Sequence, residues 1–239
     1  MDYEELSYNN TLSREQQLES SLAFPVLMRK VYVWMSLALV ITGFTAFFVA
    51  STPSLVSLIF NSGLIWVLMI AELALVWGVS AAINKISLTM ATLLFTLYSV
   101  LNGATLSIIF FAYTMSSIAT VFFITSGTFG AMALYGYFTK KDLTSMGSIL
   151  FMALIGVIIA SLVNIFLKSS GLDLVVSCLG VLVFAGLTAY DSQKIKEMML
   201  AAPDAGEGMQ KIALLGALSL YLDFINLFIH LLRLFGRRD

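Results

Sequence analysis

One cysteine, one histidine and three prolines stand among 239 residues, of which only 11% are charged. The single thiol, Cys178, excludes an internal disulfide and a zinc-thiolate cluster. The single imidazole, His230, excludes a His-rich metal centre and makes any Ser-His-Asp or Cys-His triad depend on one residue near the chain's end. Net charge is −1, and no Lys/Arg-rich tract is present, which removes the electrostatic basis for binding nucleic acid. Soluble domains carry about 25% charged residues. A hydrophobic content of 59% and a mean hydropathy of +0.95 instead describe a polytopic membrane protein whose first partner is the lipid bilayer. Most soluble enzyme classes fall away, and the expectation is a protein that is not an enzyme and needs no cofactor.

What is present divides into two parts. Residues 1-25 hold Asp2, Glu4, Glu5, Arg14, Glu15 and Glu19 among Asn, Gln and Ser, without a basic start or an apolar core, so they do not read as a signal peptide. They predict a disordered polar tail, with a short interfacial helix near Leu18 to Met28. Residues 26-239 predict a seven-helix transmembrane domain. No Asp, Glu, Lys or Arg occurs from Val31 to Ala71 or from Ile86 to Thr139, and only Lys168 and Asp173 occur from Leu143 to Tyr190. A spanning helix needs about 20 apolar residues. The runs therefore divide into segments near 30-50, 64-83, 88-112, 117-138, 146-167, 173-194 and 213-235, punctuated by Pro53, Asn61-Ser62-Gly63, Asn84-Lys85, Lys140-Lys141-Asp142 and Ser169-Ser170-Gly171. Unbroken apolarity without alternation excludes an outer-membrane barrel.

Basic residues in the loops set orientation. With a cytoplasmic N-terminus the inner set is Arg14, Arg29, Lys30, Lys85, Lys140, Lys141, Lys194, Lys196 and Lys211, against Lys168 outside. Arg233, Arg237 and Arg238 do not fit seven spans, and six spans plus a re-entrant last segment would keep them inside. Seven is the expectation. Small residues at Gly156, Ala160 and Asn164, and at Gly127, Gly130 and Gly136, predict close helix contacts.

Ionisable groups at membrane depth cost about 2.5 to 3.5 kcal/mol each on insertion scales, so those that remain mark function by default. Glu72, Asp191 and Asp223 are the three acids concerned. Ser219, Asp223, Asn226, His230 and Arg233 follow one another at steps of 4, 3, 4 and 3, which sets all five on one face of the last segment. That stripe must face protein or water, along a pore or a buried network. Structural readings stand beside it: Arg233 snorkelling to the interface, His230 and Asn226 bonding between helices, Asp191 as a helix-end carboxylate accompanied by Lys194 and Lys196. Asp223 lies about 9 Å along a helix that enters the membrane near Ala217, a depth Asp191 could share on an antiparallel neighbour. Two carboxylates in contact cannot both ionise readily and can share one proton. The pair is a candidate pH sensor, a candidate set of hard oxygen ligands for calcium, or an aspartyl protease dyad. Glu72 reads either as a hydrogen-bonded structural group or as a second cation ligand.

Four stretches resemble the transmembrane Bax inhibitor motif family in its bacterial branch: Tyr98 to Phe110, Tyr135 to Gly147, Thr188 to Lys196 and Ala217 to Phe228. The resemblance implies a seven-helix bundle with the last helix central, surrounded by the other six. It also implies a pH-sensitive calcium leak controlled by the motif aspartates, which fall on Asp191 and Asp223, and it matches the family's second-helix acid to Glu72. Family members carry a latching Arg near the inner end of the second helix. Here Ile83-Asn84-Lys85 occupies that region, and Lys85 offers a cation without the guanidinium fork.

The leading expectation is a calcium-permeable leak channel in the bacterial inner membrane, gated at Asp191 and Asp223, with Glu72, Asn226 and His230 lining the pore and calcium as the transported ion. A second is a non-conducting regulator that binds a membrane-protein partner such as a quality-control protease. An intramembrane aspartyl protease is remote. Tyr190-Asp191 is similar to the Tyr-Asp of presenilin-like enzymes, but Leu222-Asp223-Phe224 lacks the Gly-x-Gly-Asp context. A retinal protein is set aside because the seventh segment has no lysine for a Schiff base.

Overall fold

The computed structural model describes residues 3-237, with side chains from Leu22 onward. Among these residues every regular element is helical. In order they are α1 (Tyr3–Ala50), α2 (Pro53–Val56) running into a π-helical turn (Ser57–Asn61), α3 (Leu64–Ala82), α4 (Leu88–Leu106), α5 (Ile109–Ala112), α6 (Met115–Phe138), α7 (Thr144–Leu167), α8 (Ser170–Leu200) and α9 (Glu207–Phe235). Seven stretches are long and apolar enough to cross a membrane: Leu22–Ala50, Leu64–Ala82, Leu88–Ala112, Met115–Phe138, Thr144–Leu167, Ser170–Leu200 and Glu207–Phe235. All seven expected segments are found. The first begins earlier than expected because Leu27 and Val31, both fully buried, continue the stripe Met35, Ala38, Thr42, Ala46 and Val49 at steps of three and four. Of the expected polar tail, the side chains of 1-21 lie outside the described residues; the backbone from Tyr3 forms the start of α1, which runs on through Pro25.

Hydrogen bonds tie the loops into two ends. At one, Lys30 Nζ donates to Gln210 Oε1 at 2.5 Å, the Leu88 amide donates to Glu207 Oε1 at 2.9 Å, and Lys211 Nζ donates to the Ile86 carbonyl at 3.1 Å. This end gathers Lys85, Lys140, Lys141, Lys194 and Lys196 and is called the basic end below. At the far end the Thr114 amide donates to the Arg237 carbonyl at 3.1 Å, the Arg237 amide donates to Ser117 Oγ at 2.9 Å, and Arg233 pairs with Asp173 at 3.8 Å. The last helix therefore crosses completely, at about 43 Å for 29 residues. The re-entrant alternative is overturned, and Arg233 and Arg237 stand with Lys168 at the end opposite the basic end.

Burial is uneven. Two thirds (67%) of α9's apolar window is buried, against 6% for α3 and for α7. Helix α9 packs against α8, α1, α6 and α4, whereas α3 packs chiefly on α4, and α7 on α8. The close crossings sit at glycines. A Cβ on Gly136 would lie 2.0 Å from the Ala189 carbonyl oxygen, and one on Gly147 would lie 2.5 Å from the Tyr190 ring, so α6 and α7 both press on α8 there. The expectation is corrected at Gly127, Gly130 and Gly156, where a Cβ would meet nothing within 4 Å. Those glycines make no close helix contact, and Asn164 instead accepts the Ser169 amide at 3.0 Å in the turn between α7 and α8.

Candidate functional site

A cavity of about 1030 Å³ lies between α3 and α7, with α8 and α9 at its back. Glu72, Asp191 and Asp223 all line it, together with Lys194, Ser219, Asn226 and Tyr98. The three acids singled out from the sequence thus share one space, which is the central geometric finding. Asp223 is 5% exposed, and its Oδ2 has no hydrogen-bond partner among the described residues. Asp191, half-buried, interacts electrostatically with both Asp223 and Lys194. The Lys194 ammonium lies 5.7 Å from the centre of the Tyr190 ring.

The segment carrying Asp191 is pinned on both sides. Ala189 abuts Gly136, and Tyr190 abuts Gly147. Ser192 Oγ donates to the Ala133 carbonyl at 2.9 Å. Gln193 donates from Nε2 to the Lys141 carbonyl at 2.8 Å and accepts the Leu143 amide at 2.8 Å. Helix α8 is therefore fixed to α6 and to the α6–α7 loop for the whole turn around the carboxylate.

Glu72 lines the cavity and is hydrogen-bonded. It accepts from Asn102 Nδ2 at 3.2 Å and from Thr105 Oγ1 at 2.9 Å. The chain of bonds continues inward. Tyr221 OH lies 3.0 Å from Asn102 Oδ1 and 2.7 Å from Thr42 Oγ1, which lies 2.9 Å from the Ser99 carbonyl, so the two hydroxyl protons serve two of these three contacts at a time. Sequence reasoning passed over this network of α1, α3, α4 and α9. Its signal was available: Tyr221 stands two residues before Asp223, on the opposite face of the same helix, and Asn102 lies one turn beyond Tyr98.

The rest of the stripe divides. Asn226 lines the cavity and donates from Nδ2 to the Leu222 carbonyl at 2.8 Å, within its own helix. His230 is buried beyond the cavity, stacked on Phe184 with ring centres 5.6 Å apart, and sits where a Cβ on Gly180 would lie 2.5 Å from its ring. Its Nδ1 and the buried Ser177 Oγ lack hydrogen-bond partners among the described residues. Arg233 lines a smaller far-end recess of about 430 Å³ with Asp173, Lys168 and Asn164. Lys85, the candidate latch, is exposed in the turn after α3 and is not among the cavity's lining residues. The cation beside Asp191 is Lys194. Among the described residues no group of three or more His, Cys, Asp or Glu side chains is close enough to hold a metal ion.

The model of the family described as inhibitor of apoptosis-promoting Bax1 matches residues 25–239. The chain is 51% identical over 214 residues to the inner membrane protein YbhL of Escherichia coli K12, covering 88% of this chain and 91% of that protein. It is 46% identical over 224 residues to an uncharacterized protein of Borreliella burgdorferi, covering 93% and 97% of the two chains. A Rickettsia prowazekii protein, RP147, is 47% identical over 211 residues, covering 88% and 89%.

Proposed function

We propose, for a chain that belongs to the Bax inhibitor family of membrane proteins, that it is a pH-sensitive, calcium-permeable leak of the inner membrane, with its basic end cytoplasmic and α9 as the central helix. The observation that carries this reading is the convergence of Asp191, Asp223 and Glu72 on one cavity, with a buried and unpartnered oxygen on Asp223. A second aspartate interacting with that group in a largely dry place allows the two carboxyls to share one proton. Protonation changes how strongly the pathway attracts a cation, and carboxylate oxygens are the ligands calcium prefers. Conduction requires contact weak enough for the ion to leave. Three carboxylates that line one cavity without closing, among the described residues, into a single ligand set suit an ion in passage better than a resident one. The sequence of E. coli YbhL, named as an inner membrane protein, supports the location, and the loop lysines at one end support the orientation.

The experiment is calcium flux into liposomes holding the purified protein, across about pH 5 to 8, for wild type, Asp191→Asn and Asp223→Asn. The expected result is pH-dependent flux in wild type that becomes flat in both variants. The same pH dependence in both variants would sink the mechanism. No flux at any pH from folded protein would overturn the leak itself and favour the partner-binding regulator.

A further inference from the structure

The cavity is also open sideways. Its outer walls are Met69, Leu73 and Trp77 on α3 and Phe151, Met152 and Ile158 on α7. All six are between 46% and 78% exposed, so they face the bilayer rather than the bundle. Helices α3 and α7 pack inward on α4 and α8, which leaves the space between them as a cleft with apolar lips. Its floor holds three carboxylates, Glu72, Asp191 and Asp223, against one ammonium, Lys194. At about 1030 Å³ it falls at the top of the size range of small-molecule sites, roughly 300 to 1,000 Å³.

We infer that this cleft binds an amphipathic organic cation, a protonated amine on an apolar body that reaches the site from the membrane. The chemistry is complementary on both counts. An alkyl or aryl body contacts Leu73, Trp77 and Phe151, while the ammonium pairs with the carboxyl of Asp223, which lines the cleft and whose buried Oδ2 has no donor among the described residues. A charge-assisted hydrogen bond of this kind is about twice as strong as a neutral one. A neutral alcohol could hydrogen-bond to the same carboxyl but would leave the floor's excess negative charge uncompensated, and a fatty acid would add to it. The site is the one assigned to the leak, but binding is read without ion flux, so the two readings stand or fall separately.

The probe is a bromoalkylamine, which quenches tryptophan on contact, added to protein in nanodiscs. Trp34→Phe and Trp66→Phe leave Trp77 at the cleft's lip as the reporter. The expected result is saturable quenching by the amine, non-saturable partition by the matched bromoalcohol, and a loss of apparent affinity of about tenfold or more in Asp223→Asn. Because that variant removes a buried group, Met152→Trp, measured by calorimetry with the unbrominated amine, provides a second test. Met152 is 64% exposed, so the larger ring fills the cleft without entering the core, and saturable binding should vanish. Equal quenching by amine and alcohol, or unchanged binding in either variant, overturns the site. Binding without calcium flux would overturn the leak alone, and flux without binding would overturn this site alone.

Discussion

Replacing Gly136 by alanine tests whether a backbone crossing holds the segment that carries Asp191. The added Cβ would lie 2.0 Å from the Ala189 carbonyl oxygen and 2.8 Å from its carbonyl carbon. Both obstacles are backbone, so no rotamer change relieves them, and α6 must separate from α8 by about 1 Å or more to reach an ordinary contact distance. Overpacking of this kind costs about 1 to 3 kcal/mol. The same separation stretches the 2.9 Å bond from Ser192 to the Ala133 carbonyl, a further loss of about 1 kcal/mol. The helix-propensity gain of alanine over glycine returns about 1 kcal/mol, leaving a net loss near 3 kcal/mol at the upper end. For a chain of this size that lowers the midpoint of thermal unfolding by about 6 to 12 °C. Gly156→Ala is the matched control, because a Cβ there meets nothing within 4 Å. With no clash, it keeps only the propensity gain and should raise the midpoint by about 2 to 4 °C. Monodisperse protein remaining after heating in detergent, followed by size-exclusion chromatography, reads both. Midpoints that move together in sign and size would refute the crossing at Gly136.

Tyr221→Phe removes a hydroxyl from a fully buried ring and leaves Asn102 Oδ1 without its donor, which should destabilise the protein by about 1 to 3 kcal/mol. In a Thr42→Val background the loss should shrink by about 0.5 kcal/mol or more, since the two groups share one network; strictly additive midpoints would refute the network. Asp142 lies outside the spans, and hydrogen bonds from the Thr144 side chain and backbone amide hold its carboxyl below the usual range. A depressed carboxyl contributes stability above its unfolded pKa and loses that contribution as pH falls through the folded value. Asp142→Ala should therefore melt below wild type at neutral pH and match it in acid. A gap that persists in acid, or is absent at neutrality, would exclude this role.

The spans were legible because lipid leaves little alternative. In the run without charge from Val31 to Ala71, the residues at membrane depth must be helical, and Pro53 and Asn61-Ser62-Gly63 mark where one span ends and the next begins. Which faces touch was less legible. Gly156 and Gly136 look equivalent in sequence, yet one faces outward and the other meets a carbonyl, because the choice depends on how the neighbouring helix is rotated. The stripe on α9 was placed correctly on one face, but a common face does not mean a common space. Ser219, Asp223 and Asn226 line the large cavity, while His230 lies beyond it, under Phe184 and Gly180.

The two aspartates also differ in a way that spacing alone does not disclose. Asp191 sits on a turn of α8 held by two glycine crossings and three hydrogen bonds, all from α6, α7 and the loop between them. Asp223 sits on the most buried helix of the bundle and keeps an oxygen unpartnered. Charge compensation at the site is local to Asp191 and comes from Lys194, one turn along the same helix, so it travels with that aspartate wherever α8 goes. The opposite wall is held differently. Glu72 lies on α3, whose packing is chiefly on α4, and its own hydrogen bonds run to α4 residues Asn102 and Thr105. The cavity thus has one face built into the core of the bundle and one face attached to its margin.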